Sequence, residues 1–318
     1  MMSRERVTAI AQTIFVLILQ SLNTILVKMS IGTISVWALV WVPILVAIIA
    51  MGVYTFVIRR ERIPRMSKKV WFYIIVIGVG NFAISRLLRP LELERMDATT
   101  NSYLVNFVGF MTMGLSIFIL REPPFVFQLI GALLAVGGLR VFYQEAPPAS
   151  EQIGILLVFI AIVAIAITNN VARKLSQITN NELSNNVIST LALMIGGGIA
   201  IAISLALDWP PRIVGIGNWG ILVYSGIISI AVGLTVWNFI LRTLRSYEAS
   251  ILGATTIIWT AMLAIPILGE SLDINKIIGM AMMLAGIALV QVRIGRMDHL
   301  FGIKKQDTAL AEGEVWKE

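Results

Sequence analysis

ILREPPFVFQLIG, residues 119–131, and ILGESLDINKIIG, residues 267–279, share one frame: an Ile-Leu pair, a glutamate (Glu122, Glu270) and an Ile-Gly that closes nine residues after the acid. The two copies stand 148 positions apart in a chain that otherwise avoids charge. A carboxylate set twice into the same apolar frame predicts that one corner of the fold is built twice.

Composition identifies the solvent around that corner. The 318 residues are 58% apolar and 14% charged, with a mean hydropathy of +0.86. Soluble domains run at about 45–50% apolar and roughly 25% charged, so the chain reads as a membrane protein. Crossing a bilayer takes about 20 mainly apolar residues. Runs of that kind predict ten spans: Val7–Val27, Val36–Ile58, Val70–Leu88, Ala98–Leu120, Phe125–Tyr143, Ile153–Ala172, Leu183–Leu207, Trp219–Leu241, Ala249–Leu268 and Ile274–Val292. Segments such as IIVIGVG and LLVFIAIVAIAI lack the period-two alternation of a membrane barrel. The expectation is an all-α membrane protein with ten transmembrane helices. The first run is too long for the apolar region of a secretory signal and no small-x-small cleavage site follows it, so it is expected to stay as the first helix.

With the N-terminus in the cytoplasm, 18 of the 25 Lys and Arg fall on the inside and 7 on the outside. That split predicts both termini inside, in a cell (plasma or inner) membrane. The net charge of +7 then reads as topology and as attraction to anionic inner-leaflet lipid, not as nucleic-acid binding. The chain has no Cys, and its one His, His299, lies in the polar tail. Thiolate chemistry, Cys or His metal sites and a Ser-His triad therefore lack their usual residues, and no phosphate loop appears. No enzyme, cofactor or metal is expected.

The repeat extends beyond the opening stretch. At offset 148, Trp71 meets Trp219, Gly78 meets Gly226, Thr112 meets Thr260, Leu115 meets Leu263, Gly131 meets Gly279 and Gly138 meets Gly286. At offset 146, Asn23 and Lys28 meet Asn169 and Lys174. Two halves of five helices follow, over 1–145 and 150–293, with a polar cytoplasmic tail at 294–318. Because five is odd, the second half must enter the membrane from the opposite side, which predicts inverted repeats.

Two such halves, each with I-L-x-E followed by a helix of the form QLIGALLAVGG or KIIGMAMMLAG, resemble the EamA-type transporters of the drug/metabolite transporter superfamily. The likeness runs from about Val7 to Val292. It departs at Phe110 and Ile258, where such halves often carry proline. The resemblance implies a secondary transporter, an exporter by alternating access, for small metabolites, amino-acid-like compounds or drugs. It also implies a central cavity between the repeats. A channel or lipid-handling protein on the same scaffold is the alternative. The expected partners are a small-molecule substrate and the lipid bilayer, with no nucleic acid; a homodimer is left open.

Polar side chains in hydrocarbon are costly unless they face protein or water, so their positions nominate the interior. Substrate-binding candidates are Asn23 in the first span, Asn81, Ser85, Arg86 and Arg89 in the third, Ser102 and Asn106 in the fourth, Ser229 in the eighth, and Thr256 and Trp259 in the ninth. Arg86 and Arg89 carry the sharpest hint, because a guanidinium facing a cavity binds a carboxylate or phosphate through two parallel bonds. The competing reading has both arginines snorkelling to the outer interface beside Glu92, Glu94 and Asp97. Lys28 and Lys174 read as interface anchors, and Gly196–Gly198 as a site of close helix packing. Glu122 and Glu270 read as structural charges near helix N-termini, Glu270 at the start of the tenth helix, with Gly131 and Gly279 structural beside them. Every Asp and Glu falls at or beyond a predicted span end, which disfavours a carboxylate proton relay in mid-membrane.

Overall fold

Capped ends and short polar joints cut the apolar chain into helices, as expected where backbone groups can find no water. The computed structural model describes residues 4–120, 124–180, 182–237 and 251–291. The helices are α1 (Arg4–Ser30), α2 (Ala38–Ile58), α3 (Lys68–Arg95), α4 (Ala98–Ile119), α5 (Val126–Phe142), α6 (Ala149–Ile178), α7 (Asn185–Leu207), α8 (Ile216–Trp237), α9 (Ile251–Leu268) and α10 (Ile274–Val290). Among the described residues eight of these are long and apolar enough to cross a membrane. The other two, α5 and α10, are apolar but have 17 residues each, about 25 Å of helix against a hydrocarbon core of about 30 Å. Among the described residues, extended pairing is limited to isolated bridges that tie Ile34 to Ile31 and to Ile213.

Local chemistry sets several boundaries. The Ser67 hydroxyl accepts from the Val70 N–H at the start of α3, and Ser184 does the same for Asn186 at the start of α7. Gly269, at φ +70, ends α9 in the left-handed conformation that favours glycine. Helix α3 corrects its predicted end. It runs past Leu88 to Arg95 even though Pro90 lies inside it, so Arg86 and Arg89 sit deeper in their helix than the apolar run indicates. Wider turns with i→i+5 bonding interrupt α3 at Val79–Ile84 and α8 at Ser225–Val232, segments that largely coincide at offset 148.

The helices pack in swapped pairs. Helix α1 lies against α8 and α9, while α6 lies against α3 and α4; α2 lies against α8, while α7 lies against α3; and α2 meets α7, α4 meets α9 and α5 meets α10. Glycines set the closest approaches. A Cβ on Gly131 would stand 2.5 Å from the Gly286 carbonyl oxygen, and one on Gly286 2.5 Å from that of Gly131. Gly138 and Gly279 face one another in the same way, at 3.0 and 2.8 Å. A Cβ on Gly196 would run into the Gly78 backbone, and one on Gly197 would lie 2.6 Å from Ile44. Such small-residue seams are how helices associate where lipid removes any hydrophobic drive between them.

Glu270 has a different partner from the one its place in the sequence indicates. Its carboxylate accepts from the backbone N–H groups of Ala98 (2.6 Å) and Thr99 (3.1 Å), so it caps α4, across 172 residues of chain. Asp97, at the capping position of α4, makes no cap bond; it lies 3.6 Å from the Lys276 ammonium instead. Asp273 caps α10 by accepting from the Lys276 N–H at 2.7 Å. At the other side of the α3–α4 joint, Lys28 Nζ donates to the carbonyls of Leu93 (2.6 Å) and Met96 (2.8 Å). Lys28 is therefore not only an interface anchor: it satisfies carbonyls at the end of α3, where the helix dipole favours a cation. Glu122 lies outside the described residues.

Four substitutions test these contacts. Gly286→Leu lowers the unfolding midpoint in a mixed-micelle denaturant titration by the equivalent of about 1–3 kcal/mol of overpacking. Gly198→Leu, at a position with nothing within 4 Å, leaves that midpoint unchanged. Glu270→Ala costs about 1–2 kcal/mol in the same titration, as for other lost caps. Glu270→Gln, which keeps an acceptor but loses the charge, costs less than Glu270→Ala by about 0.3–1 kcal/mol.

Candidate functional site

A cavity of about 40 Å³ opens where α1, α2, α3 and α8 meet. Asn23 and Val27 of α1, Leu39, Val40, Pro43 and Ile44 of α2, Arg86, Arg89 and Pro90 of α3, and Ser225 and Ile230 of α8 line it. The helix irregularities converge here. The wide turn of α3 ends at Ile84, just before Arg86, and that of α8 contains both Ser225 and Ile230. Pro43 and Pro90 lack an N–H, so the carbonyls of Leu39 and Arg86 lose their helical i+4 donor beside the cavity. Departures of this kind are tolerated at membrane depth where protein or a wet cavity surrounds them.

The two arginines differ in their partners. Arg89 Nη2 donates to Thr24 Oγ1 at 3.1 Å, and Nη1 stands 3.9 Å from Glu92 Oε2. Glu92 is 1% exposed, and its Oε2 also accepts from Asn101 Nδ2 at 3.0 Å. The other carboxylate oxygen, Oε1, has no partner among the described residues; nor do Thr99 Oγ1 and Asn101 Oδ1 nearby in the chain. Arg86 is partly buried. Among the described residues no carboxylate lies within 4.0 Å of it. The sequence places Glu92 beyond its predicted span; in the folded chain it is a buried carboxylate within α3. Two guanidiniums and one carboxylate leave the cavity region with one surplus positive charge.

Asn23 reaches across to α8, where its Oδ1 accepts a short bond from the Ser225 hydroxyl. Of the ten candidates, the cavity gathers Asn23, Arg86 and Arg89. The other seven lie outside its lining. The Ser85 hydroxyl turns back on its own helix to bond the Asn81 carbonyl. Asn106 does likewise, donating to the Ser102 carbonyl at 2.8 Å. Thr256 bonds the Gly253 carbonyl at 2.8 Å, Trp259 Nε1 donates to Thr255 Oγ1 at 3.1 Å, and Ser229 is half-buried on α8. The Ser85, Asn106, Thr256 and Trp259 side chains bond within their own helices, as polar side chains often do. The apolar lining had no signature, because Val27, Leu39, Val40, Ile44 and Ile230 read like any lipid-facing residue. Pro43 and Pro90 were the visible clue, since each interrupts a helical run.

The EamA-like transporter family matches the chain twice, over residues 8–144 and again over 152–292. An uncharacterized transporter of Clostridium kluyveri is 23% identical over 222 residues, which is 67% of this chain and 70% of that protein. A crystal structure of a protein of 13% identity superposes with a TM-score of 0.64, over 89% of this chain and 96% of its own, and so shares the fold. Two matches that together span most of the sequence place this chain in the EamA-like transporter family: it is a membrane transporter of the drug/metabolite superfamily.

Proposed function

We propose that this transporter is a ten-span secondary carrier built of two inverted five-helix repeats, 1–145 and 150–293, that exports small metabolites, amino-acid-like compounds or drugs by alternating access. In this reading it sits in the plasma or inner membrane with both termini, including the tail at 294–318, in the cytoplasm. The cargo passes through the cavity between the repeats.

One observation carries the reading: a cavity lined by two arginines among mostly apolar residues, whose walls come from α1, α2 and α3 on one side and from α8 on the other. Charged groups at membrane depth are kept where they serve a pathway. The swapped helix pairs support the inverted plan. When the two halves exchange places, α1 on α8 and α9 becomes α6 on α3 and α4, and α2 on α8 becomes α7 on α3. Gly131 against Gly286 likewise becomes Gly279 against Gly138. An inverted pair of halves can interchange roles, which is the geometric basis of alternating access. At about 40 Å³ the cavity has room for a few waters, against roughly 300–1,000 Å³ for an ordinary ligand site. Cargo therefore requires α1, α2, α3 and α8 to move apart, which suits a carrier that alternates better than an open pore.

Counterflow in proteoliposomes tests this. Vesicles preloaded with a metabolite pool take up the labelled form of a transported compound faster than empty vesicles, and against its own gradient. Uptake that ignores the internal pool would make the protein a channel.

A further inference from the structure

We propose that the cavity is a site for a single negative charge, with Arg86 as the group that binds it and Glu92 as the built-in counter-ion that keeps Arg89 from binding a second. The inference rests on the carrier reading for its cargo, and it narrows that cargo to monoanions: organic acids with one carboxylate, or compounds whose anionic group carries one charge.

The argument begins with a cost. A cation away from water is expensive unless it is paired, and more so inside a bilayer. Arg89 meets that cost within the protein through Glu92 and Thr24. Arg86 does not: within 4.0 Å it has no described carboxylate, and its neighbour one turn on is another arginine. Nor does Arg86 sit at a helix end. It lies nine residues before the end of α3 at Arg95, about two and a half turns inside. An unpaired guanidinium held in a cavity at that depth is complementary to an anion that comes and goes. Its planar fork matches a carboxylate through two parallel bonds.

The rest of the lining agrees. Asn23 uses its Oδ1 on Ser225, which leaves its amide N–H2 without a partner among the described residues and supplies a neutral donor next to the cation. The remaining lining residues, Val27, Leu39, Val40, Pro43, Ile44, Pro90 and Ile230, are apolar, a setting for the hydrocarbon or aromatic part of an organic acid. Among the described residues no acidic side chain lines the cavity, so an ammonium group on the cargo would meet no counter-charge from them.

Glu92 sets the charge limit. It is 1% exposed, set behind Arg89 and steadied by Asn101, and it does not line the cavity. Its role is to offset the charge of one guanidinium, so the site presents one net positive charge. A dianion would have to draw Arg89 away and leave Glu92 buried without its partner, which breaks a buried pair at substantial cost.

Binding of simple probes to the purified full-length chain tests this, read as tryptophan fluorescence and as thermal stability in detergent. The probes are benzoate and hexanoate as monoanions, succinate as a dianion, and benzamide and hexylammonium as uncharged and cationic controls. The wild type binds benzoate and hexanoate saturably and the other three at least about tenfold more weakly. Arg86→Gln loses benzoate binding by about tenfold or more, in keeping with truncation of one partner of a buried charge pair. Glu92→Gln frees Arg89 and raises succinate affinity relative to benzoate. Arg89→Gln/Glu92→Gln, which removes both charges together, restores the wild-type preference and keeps the proposal testable where Glu92→Gln alone misfolds. Benzoate binding that survives Arg86→Gln unchanged, or benzamide binding as well as benzoate, would overturn the proposal. Benzoate binding lost in Arg86→Gln but without counterflow leaves the anion site standing and defeats the carrier reading. Counterflow of neutral or cationic compounds that is indifferent to Arg86→Gln does the reverse.

Discussion

Lipid withholds water from every polar group it touches, and most of this structure can be traced to that constraint. Backbone N–H and C=O groups must find partners within the chain, so the segments are helices. Four donors at one end of each helix and four acceptors at the other still remain. Where α3 turns into α4, charges from elsewhere in the chain complete them: Lys28 on the carbonyls of Leu93 and Met96, Glu270 on the N–H groups of Ala98 and Thr99. Each has the sign that the adjacent helix dipole favours. A joint closed by α1 on one side and by the α9–α10 turn on the other couples three parts of the chain at one end of the bundle.

The same constraint explains why glycine does the packing. Lipid tails are as apolar as leucine, so helices gain nothing merely by hiding apolar surface from one another and must gain it through close contact. Backbones meet at Gly131 and Gly286, at Gly138 and Gly279, and at Gly78 and Gly196. Between these seams the polar side chains form short bridges from helix to helix, such as Thr55 with Thr190 at 2.9 Å and Asn170 with the Thr112 carbonyl at 3.0 Å. The cavity lies where this economy is broken, with carbonyls left without a donor by Pro43 and Pro90, widened turns and an arginine that has no acid of its own.

Much of this was legible in the residues. The apolar runs located the helices, and the repeated I-L-x-E frame marked a corner that recurs. The glycines at offset 148 marked seams that prove to be seams. Three of ten candidate side chains line the cavity, and the arginines were the sharpest of them. The other seven were nominated by polarity alone, and a polar side chain has two ways to be satisfied in a helix. Ser85, Asn106 and Thr256 take the local one, bonding a carbonyl one turn back, and composition cannot separate that from a cavity-facing role.

What the sequence determined by itself is what depends on local free energy: a membrane protein, its helix positions and a duplicated plan. What only the tertiary structure decided is which group meets which. Glu270 stands four residues before α10 yet caps α4, because the fold brings it to the N–H groups of a helix 172 residues away in the chain. Helix α3 continues through Pro90 to Arg95 because the surrounding helices and the Lys28 cap hold its last turns. Arg86 and Arg89 are the same residue type, one turn apart on one helix; the i,i+3 spacing to Glu92 already favours Arg89, but only the fold buries that carboxylate. Burial of Glu92 beside one and not the other separates them, since a charge in low dielectric takes its character from the partner within reach.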